Sequence, residues 1–466
     1  MMLLEKKLIE KIIETALATG GDFAEVFCEE TVSSSIQTVG GLVEKTSSRK
    51  VYGVGIRIAH KLQSVYGFTN SQNPDEIIKL ASDLSKSFSD EVKTTPVKLG
   101  KLEVGKRHQA RISPLSVKQT DKVELLKKAY KAAKEYDEVI QQVMVGLYEW
   151  VQTVLIANSE GRYVTEDRTR IRVGINSIAG KDGVMQTGFE GPGTAKGYEY
   201  FDEDINLEDV AREASRIAKT MLFAGECPSG VMPVVIDNQF GGVIFHEACG
   251  HSLEATSVAK NASVFCGKLN QQVASPIVTA IDDGTIEHGW GSANFDDEGY
   301  PQQRRVLIEK GILKSYMVDK LNSRRMDHQP TGSSRRESYK FSPTSRMSNT
   351  FIDNGTSTLE ELISATEYGL YAKKMGGGSV NPGSGDFNFS VSEGYIIRNG
   401  KIAEPVRGAS LVGNGAEILW KIDMIANNLD RARGMCGSAS GSITADVGQP
   451  SIRVSSITVG GKKGAN

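Results

Sequence analysis

Gly242-Val243-Ile244-Phe245-His246-Glu247-Ala248-Cys249-Gly250-His251 follows an apolar run, Val231 to Ile236, that reads as a strand. The ten residues hold two histidines and a glutamate. Metal-assisted hydrolysis needs these groups: neutral imidazoles to hold the ion and a carboxylate beside the attacking water. In the common zinc-protease helix the histidines stand at i and i+4, with the glutamate directly after the first. His246 and His251 stand at i and i+5. Five residues turn a regular α-helix by about 500°, so the two imidazoles would point about 140° apart and could not share an ion. Two readings are open. Either the histidines form no site, or the helix carries one extra residue between them, a π-bulge near Ala248 to Gly250. Gly250 would make such a distortion cheaper.

Two histidines do not complete a tetrahedral site, so a third ligand must come from elsewhere. Cys436 sits between glycines in Gly434-Met435-Cys436-Gly437, where the backbone can approach an ion closely; it reads equally well as a small residue in a tight loop. Cys266 follows Val264-Phe265 and suits a buried structural thiol, although it is not excluded. Cys249 lies inside the motif and should point away from it. His288 and His328 are rival ligands by residue type.

The 466 residues exceed one ordinary core, so two domains are expected: 1–225 and 226–466, divided at the short linker Gly225 to Gly230. A hydrophobic content of 39% with 24% charged residues describes a globular chain, and a net charge of −2 argues against a nucleic-acid footprint. No apolar run reaches membrane-spanning length, and Met1 to Lys7 does not read as a signal peptide. Five scattered cysteines without CxxC spacing suit a reducing compartment, which makes the cytoplasm the expected location.

The first half reads as a pseudo-duplicated α+β unit: helix, strands, helix, twice over. Helices are expected at Leu3–Leu17, Asp75–Phe88 (capped by Asn73-Pro74), Thr120–Tyr136 and Asn206–Phe223. Strands are expected at 24–28, 34–38, 51–59 and 63–68, then over 138–158, and over 162–178 around a turn at Glu166-Asp167. Ser89 to Ser113 reads as a polar connector. No chemistry is visible in this half, where His60 and His108 read as solvated or structural. The second half is glycine-rich and β-rich, with helices at 241–260, 358–365 and 415–429. Hairpin turns are expected at Gly311 and Asn399-Gly400. Gly376-Gly377-Gly378 lacks the lysine of a phosphate loop.

The second half resembles the TldD branch of the TldD/PmbA peptidase family, which carries HExxxH, here His246, Glu247 and His251. The resemblance also rests on Asp283-Gly284-Thr285, Gly289-Trp290-Gly291-Ser292, Asp296-Asp297-Glu298-Gly299, Arg346-Met347-Ser348-Asn349-Thr350, Ser384-Gly385-Asp386-Phe387 and Cys436-Gly437. The tail from Val447-Gly448-Gln449-Pro450 to Val459-Gly460-Gly461 fits as well. After Cys436 the chain departs from the family, with Ser438-Ala439-Ser440-Gly441 where members often have a lysine and a glutamine.

The resemblance implies a zinc peptidase with one Zn2+ per active subunit, held by His246, His251 and a cysteine of the Cys-Gly motif, Cys436. Glu247 would take a proton from the attacking water and pass it to the leaving amine. It further implies a homodimer, or a heterodimer with a PmbA-type subunit, enclosing the sites so that only small unfolded or extended peptides enter. Neither nucleic acid nor membrane is an expected partner. A non-catalytic subunit binding a peptide or partner protein is the alternative from another class, and a metal-dependent amidase acting on a small molecule is a third.

Overall fold

In the first half of the chain two long hairpins lie side by side. A computed structural model describes residues 4–88, 96–103, 105, 107–381 and 384–462. In it Phe23–Val39 pairs with Leu42–His60, and Ile140–Asn158 pairs with Arg162–Lys181. The hairpins join through an antiparallel seam running from Glu25↔Asn158 to Val39↔Met144. Each hairpin is followed by a shorter third strand, Gln63–Thr69 or Val184–Glu190. Two helices accompany each. Lys6–Leu17 and Pro74–Ser85 bury Ile9, Ile12, Ala16, Ile77 and Ala81 against Val26, Val54 and Ile56. Gln119–Lys134 and Leu207–Phe223 bury Leu126, Ala129, Ala211 and Ala218 against Val143, Val145 and Val173. Helix, hairpin, strand and helix thus recur, and the fold is α+β.

The helices lie close to their expected bounds. Asn73 and Asn206 accept N–H bonds from the first turns of the helices they precede. The strands run longer than their apolar patterns suggest. The expected strands 24–28 and 34–38 are one, because Glu29 and its polar neighbours are paired on both sides and their side chains meet protein. Glu29 accepts the N–H of Tyr339 at 2.9 Å, far along the chain. The expected turn at Glu166-Asp167 is absent as well. Both residues lie within the strand, and Glu166 accepts the N–H of Asn294 at 2.7 Å. Part of the expected connector, 89–95, 104 and 106, lies outside the described residues.

The second half contains a ring of five strands: Tyr368–Val380, Gly230–Ile236, Ile452–Gly460, Ser410–Asn414, Asp386–Arg398 and back to the first. Closure leaves these strands no free edge along the paired stretches. Beside the ring lies a six-stranded sheet in the order Ile312–Leu313, Arg304–Glu309, Ala280–Asp283, Asn349–Ile352, Gly441–Gln449, Asp430–Ser438. Asp430–Ser438 is its edge strand. The 225–230 stretch begins with Gly225–Glu226, which pair in parallel with Val406 and Arg407; Cys227 beside them is buried. The expected helix 415–429 stops at Ile418. Ile422–Ile425 instead extends along Ile452–Val454, so its isoleucines reach the core as a strand.

Buried ion pairs bind the two halves. Arg57, on the first hairpin, bridges Glu25 of its own sheet and Glu298 of the second half; all three are buried. Arg336 donates to Glu25 and Arg168 to Asp297, at 2.7 and 2.6 Å. Removing one partner strands a charge in a dry interior. Arg57→Met is therefore expected to destabilise the protein by about 3–5 kcal/mol, read as a lowered urea midpoint. A midpoint within error of wild type would contradict this account.

Candidate metal centre

From Ile236 the chain enters a chain of short turns. A 3-10 turn at Gln239–Gly242 leads into one α-turn, Val243–Phe245, then a π turn, His246–Gly250, then a 3-10 turn, His251–Leu253. Glu254 is extended, and a separate α-turn follows at Ala255–Val258. The single helix expected over 241–260 is thus replaced by a succession of turns of three kinds. The π turn is the extra residue that the i, i+5 spacing requires: the N–H of His251 bonds to the carbonyl of His246, five residues back. The two imidazoles come to lie edge-to-face with centroids 5.2 Å apart.

Gly250 serves a purpose different from the expected one. Its φ of −57° and ψ of −50° are ordinary. It matters through close approach, since a Cβ there would lie 2.2 Å from Met347 Sδ. Gly415 likewise faces the carbonyl of Ala248, which a Cβ would meet at 2.0 Å. Gly250→Ala is expected to cost about 1–3 kcal/mol, the usual penalty of overpacking, and Met347→Ala should recover part of it. Thermal unfolding of the single and double variants measures both.

The edge strand brings Cys436 to the motif. Its Sγ is 3.3 Å from His246 Nε2 and 3.4 Å from His251 Nε2. The three donor atoms lie within 4.8 Å of one another, the one such cluster found among the described residues. Burial alone would raise the Cys436 pKa, but the two imidazoles outweigh it and bring it down to about 3. For His251, burial opposes the charged form, yet Glu254 and Cys436 push its pKa well above the usual histidine value. Glu247 is part-exposed, with Oε2 3.6 Å from His251 Nε2. A carboxylate thus stands beside the donor cluster and open to solvent.

The other sequence candidates lie elsewhere. Cys249 is buried and turns its thiol to the carbonyl of Gly415, 3.4 Å away. Cys266 is only partly buried and reaches the carbonyl of Val258. His288 contacts Ala195 and His108, and His328 contacts the carbonyl of Gln329. Two residues beside the cluster carry no sequence signal of a role in it. Glu254 lies against His251, and Arg346 against Cys436.

The outer side of the edge strand is partly taken, since the carbonyl of Arg433 accepts from Arg172 at 3.2 Å. Asp446 donates its N–H to Ser348, away from Arg433 opposite, so Arg433 and alternate residues such as Met435 turn their backbone polar groups outward. Met435 faces the first-half sheet across a cavity of about 630 Å³ lined by Tyr148, Trp150, Phe189 and Trp290. The first half, which shows no chemistry in sequence, thus supplies one wall of the groove beside this strand.

Two histidines and a cysteine thus form a candidate metal site, and comparison with known proteins points to a metallopeptidase. Family models for the PmbA/TldA metallopeptidase match along the chain: domain 1 over residues 24–87, the central domain over 112–222 and the C-terminal domain over 229–461. The metalloprotease TldD homolog of Haemophilus influenzae is 36% identical over 449 residues, 94% of this chain and 93% of that one. The zinc metalloprotease TldD homolog of Saccharolobus solfataricus is 27% identical over 468 residues, 97% of this chain and 99% of that one. The crystal structure of TldE from Thermococcus kodakarensis superposes with a TM-score of 0.76 at 18% identity, covering 97% of this chain and 99% of the other, and shares the fold. The chain belongs to the PmbA/TldD family of metallopeptidases. It is a metalloprotease, and its activity requires a metal.

Proposed function

We propose that this protein is a zinc peptidase that cleaves small unfolded peptides bound in extended form, with His246, His251 and Cys436 as ligands and Glu247 as general base. The observation that carries the reading is the geometry of the donor set. With bonds of about 2.05 Å to nitrogen and 2.3 Å to sulfur, a tetrahedral zinc site has N···S edges of about 3.5 Å. The edges here are 3.3 and 3.4 Å. Two imidazoles and a thiolate suit zinc, which the Saccharolobus relative carries in its name. They leave a fourth position open.

When bound, zinc supplies a Lewis acid that polarises the peptide carbonyl and lowers the pKa of water. The chain's own residues do the rest. Glu247 accepts the proton of the attacking water and passes it to the leaving amine. The outward N–H and C=O groups of Met435 pair with an extended peptide, which lies as an added strand beside Cys436. Folded proteins blunt or cover most of their strand edges, so the requirement itself favours unfolded chains. A dimer, with itself or with a PmbA-type subunit, would wall the groove off from folded neighbours in the cytoplasm.

Metal analysis together with cleavage of an unfolded peptide library tests this reading. One zinc per chain is expected, with cleavage lost to a chelator and restored by zinc. Efficient turnover without bound metal would refute it.

A further inference from the structure

The carboxylate of Glu254 lies behind His251. Its Oε2 is 3.3 Å from His251 Nδ1, on the side of the ring away from Cys436. Glu254 is buried, although its residue type seldom is. Its place is fixed by the backbone: Glu254 bridges to Met317, and the next N–H, of Ala255, bonds to the Met317 carbonyl. The other oxygen, Oε1, has no hydrogen-bond partner and faces the Nε of Arg346 at 3.9 Å. That Nε is unpartnered as well.

Arg346 is wholly buried, and its remaining donors all go to the hairpin that carries Cys436. Nη1 donates to Ser440 Oγ and the Gly441 carbonyl at 2.9 and 3.0 Å, and Nη2 donates to the carbonyl of Cys436 itself. A purely structural reading makes Arg346 a brace for the hairpin turn. That reading accounts for these bonds. It does not account for a buried carboxylate between Arg346 and an imidazole, since burying each ion costs several kcal/mol. His246 offers the contrast, because its buried Nδ1 has no partner at all.

We propose that Glu254 and Arg346 are positioning residues for the metal centre. Glu254 accepts the Nδ1–H of His251 and so fixes the tautomer whose free Nε2 points at the ion. Arg346 holds that carboxylate and the Cys436 carbonyl in one frame, setting two ligands 185 residues apart in sequence against each other. Outer partners of this kind change metal affinity by about 10–100-fold. The proposal rests on the zinc reading above, and the test separates the two.

Zinc dissociation constants would be measured by chelator competition on the full chain for wild type, Glu254→Gln, Glu254→Ala and Arg346→Lys, with thermal unfolding of the metal-free forms alongside. Glu254→Ala should weaken zinc by about 10–100-fold. Glu254→Gln keeps an acceptor but loses the charge, and should fall between. Arg346→Lys keeps a charge beside Glu254 but loses the fork onto Cys436, and should weaken zinc too. Ring-nitrogen NMR of zinc-loaded wild type should show Nδ1-protonated His251, a signature that a merely structural role would not fix. Arg57→Met serves as a control: it should lower the melting temperature without changing the constant. A constant for Glu254→Ala within twofold of wild type would overturn the proposal, and the isosteric Glu254→Gln keeps that arm decisive if the alanine variant does not fold. An unchanged constant in Arg346→Lys would remove Arg346 from it. Failure of wild type to bind zinc stoichiometrically would instead sink the zinc reading itself.

Discussion

Glu247→Gln is expected to lose peptide cleavage by about 10²–10⁴-fold, the usual contribution of a positioned general base, while binding zinc as wild type does. The amide has the size of the carboxylate but cannot take a proton from water. Glu247 is part-exposed beside His251 Nε2, so the substitution leaves no buried group unpaired, and the fold should be unaffected. Turnover is measured with a fluorogenic unfolded peptide, and zinc by elemental analysis of the same sample. Full activity with full metal would remove Glu247 from the mechanism. Lost activity with lost metal would make it a ligand.

Cys436→Ala is expected to lose zinc and activity together. The thiolate is the one anionic ligand of the proposed set, and it is the ligand that comes from the edge strand. Cleavage should fall to background, with zinc below one-tenth equivalent after dialysis. The fold should survive, because the backbone of Cys436 stays paired with Ile443. Circular dichroism checks the fold, and Cys436→Ser distinguishes loss of the soft ligand from loss of volume. Full zinc occupancy in the alanine variant would rule out Cys436.

The motif was legible because its spacing conflicts with a regular helix. His246 and His251 at i and i+5 demand one extra residue per turn, and the π turn supplies it. The remainder of the expected helix was not legible. Val243, Phe245, Leu253 and Val258 are all buried, yet the chain breaks at Glu254 to put that carboxylate behind His251. Periodicity reports which residues are apolar, and a succession of short turns can bury the same set. Cys436 was legible only through the Cys-Gly motif, since nothing local distinguishes a ligand from a small residue in a hairpin. Arg346 and Glu254 meet across 92 positions, a pairing that backbone topology decides. The long hairpins show the same limit: the polar middle of Phe23–Val39 reads as a loop because its partner, Tyr339, lies 310 residues away from Glu29.

The division of the centre between a turn and a distant strand bears on how the enzyme is made. Cys436 follows His251 by 185 residues. At about 5–20 residues per second, a ribosome needs roughly 10–40 s to deliver the thiol after the second histidine has been added. On the proposed ligand set, the growing chain during that interval has neither a complete donor set nor the edge strand that would receive a peptide. A protease emerging in pieces among unfolded nascent proteins, its own among them, is therefore inert until the hairpin 430–449 has closed. Latency is written into the order of the ligands along the message, and no removable pro-segment is needed to impose it.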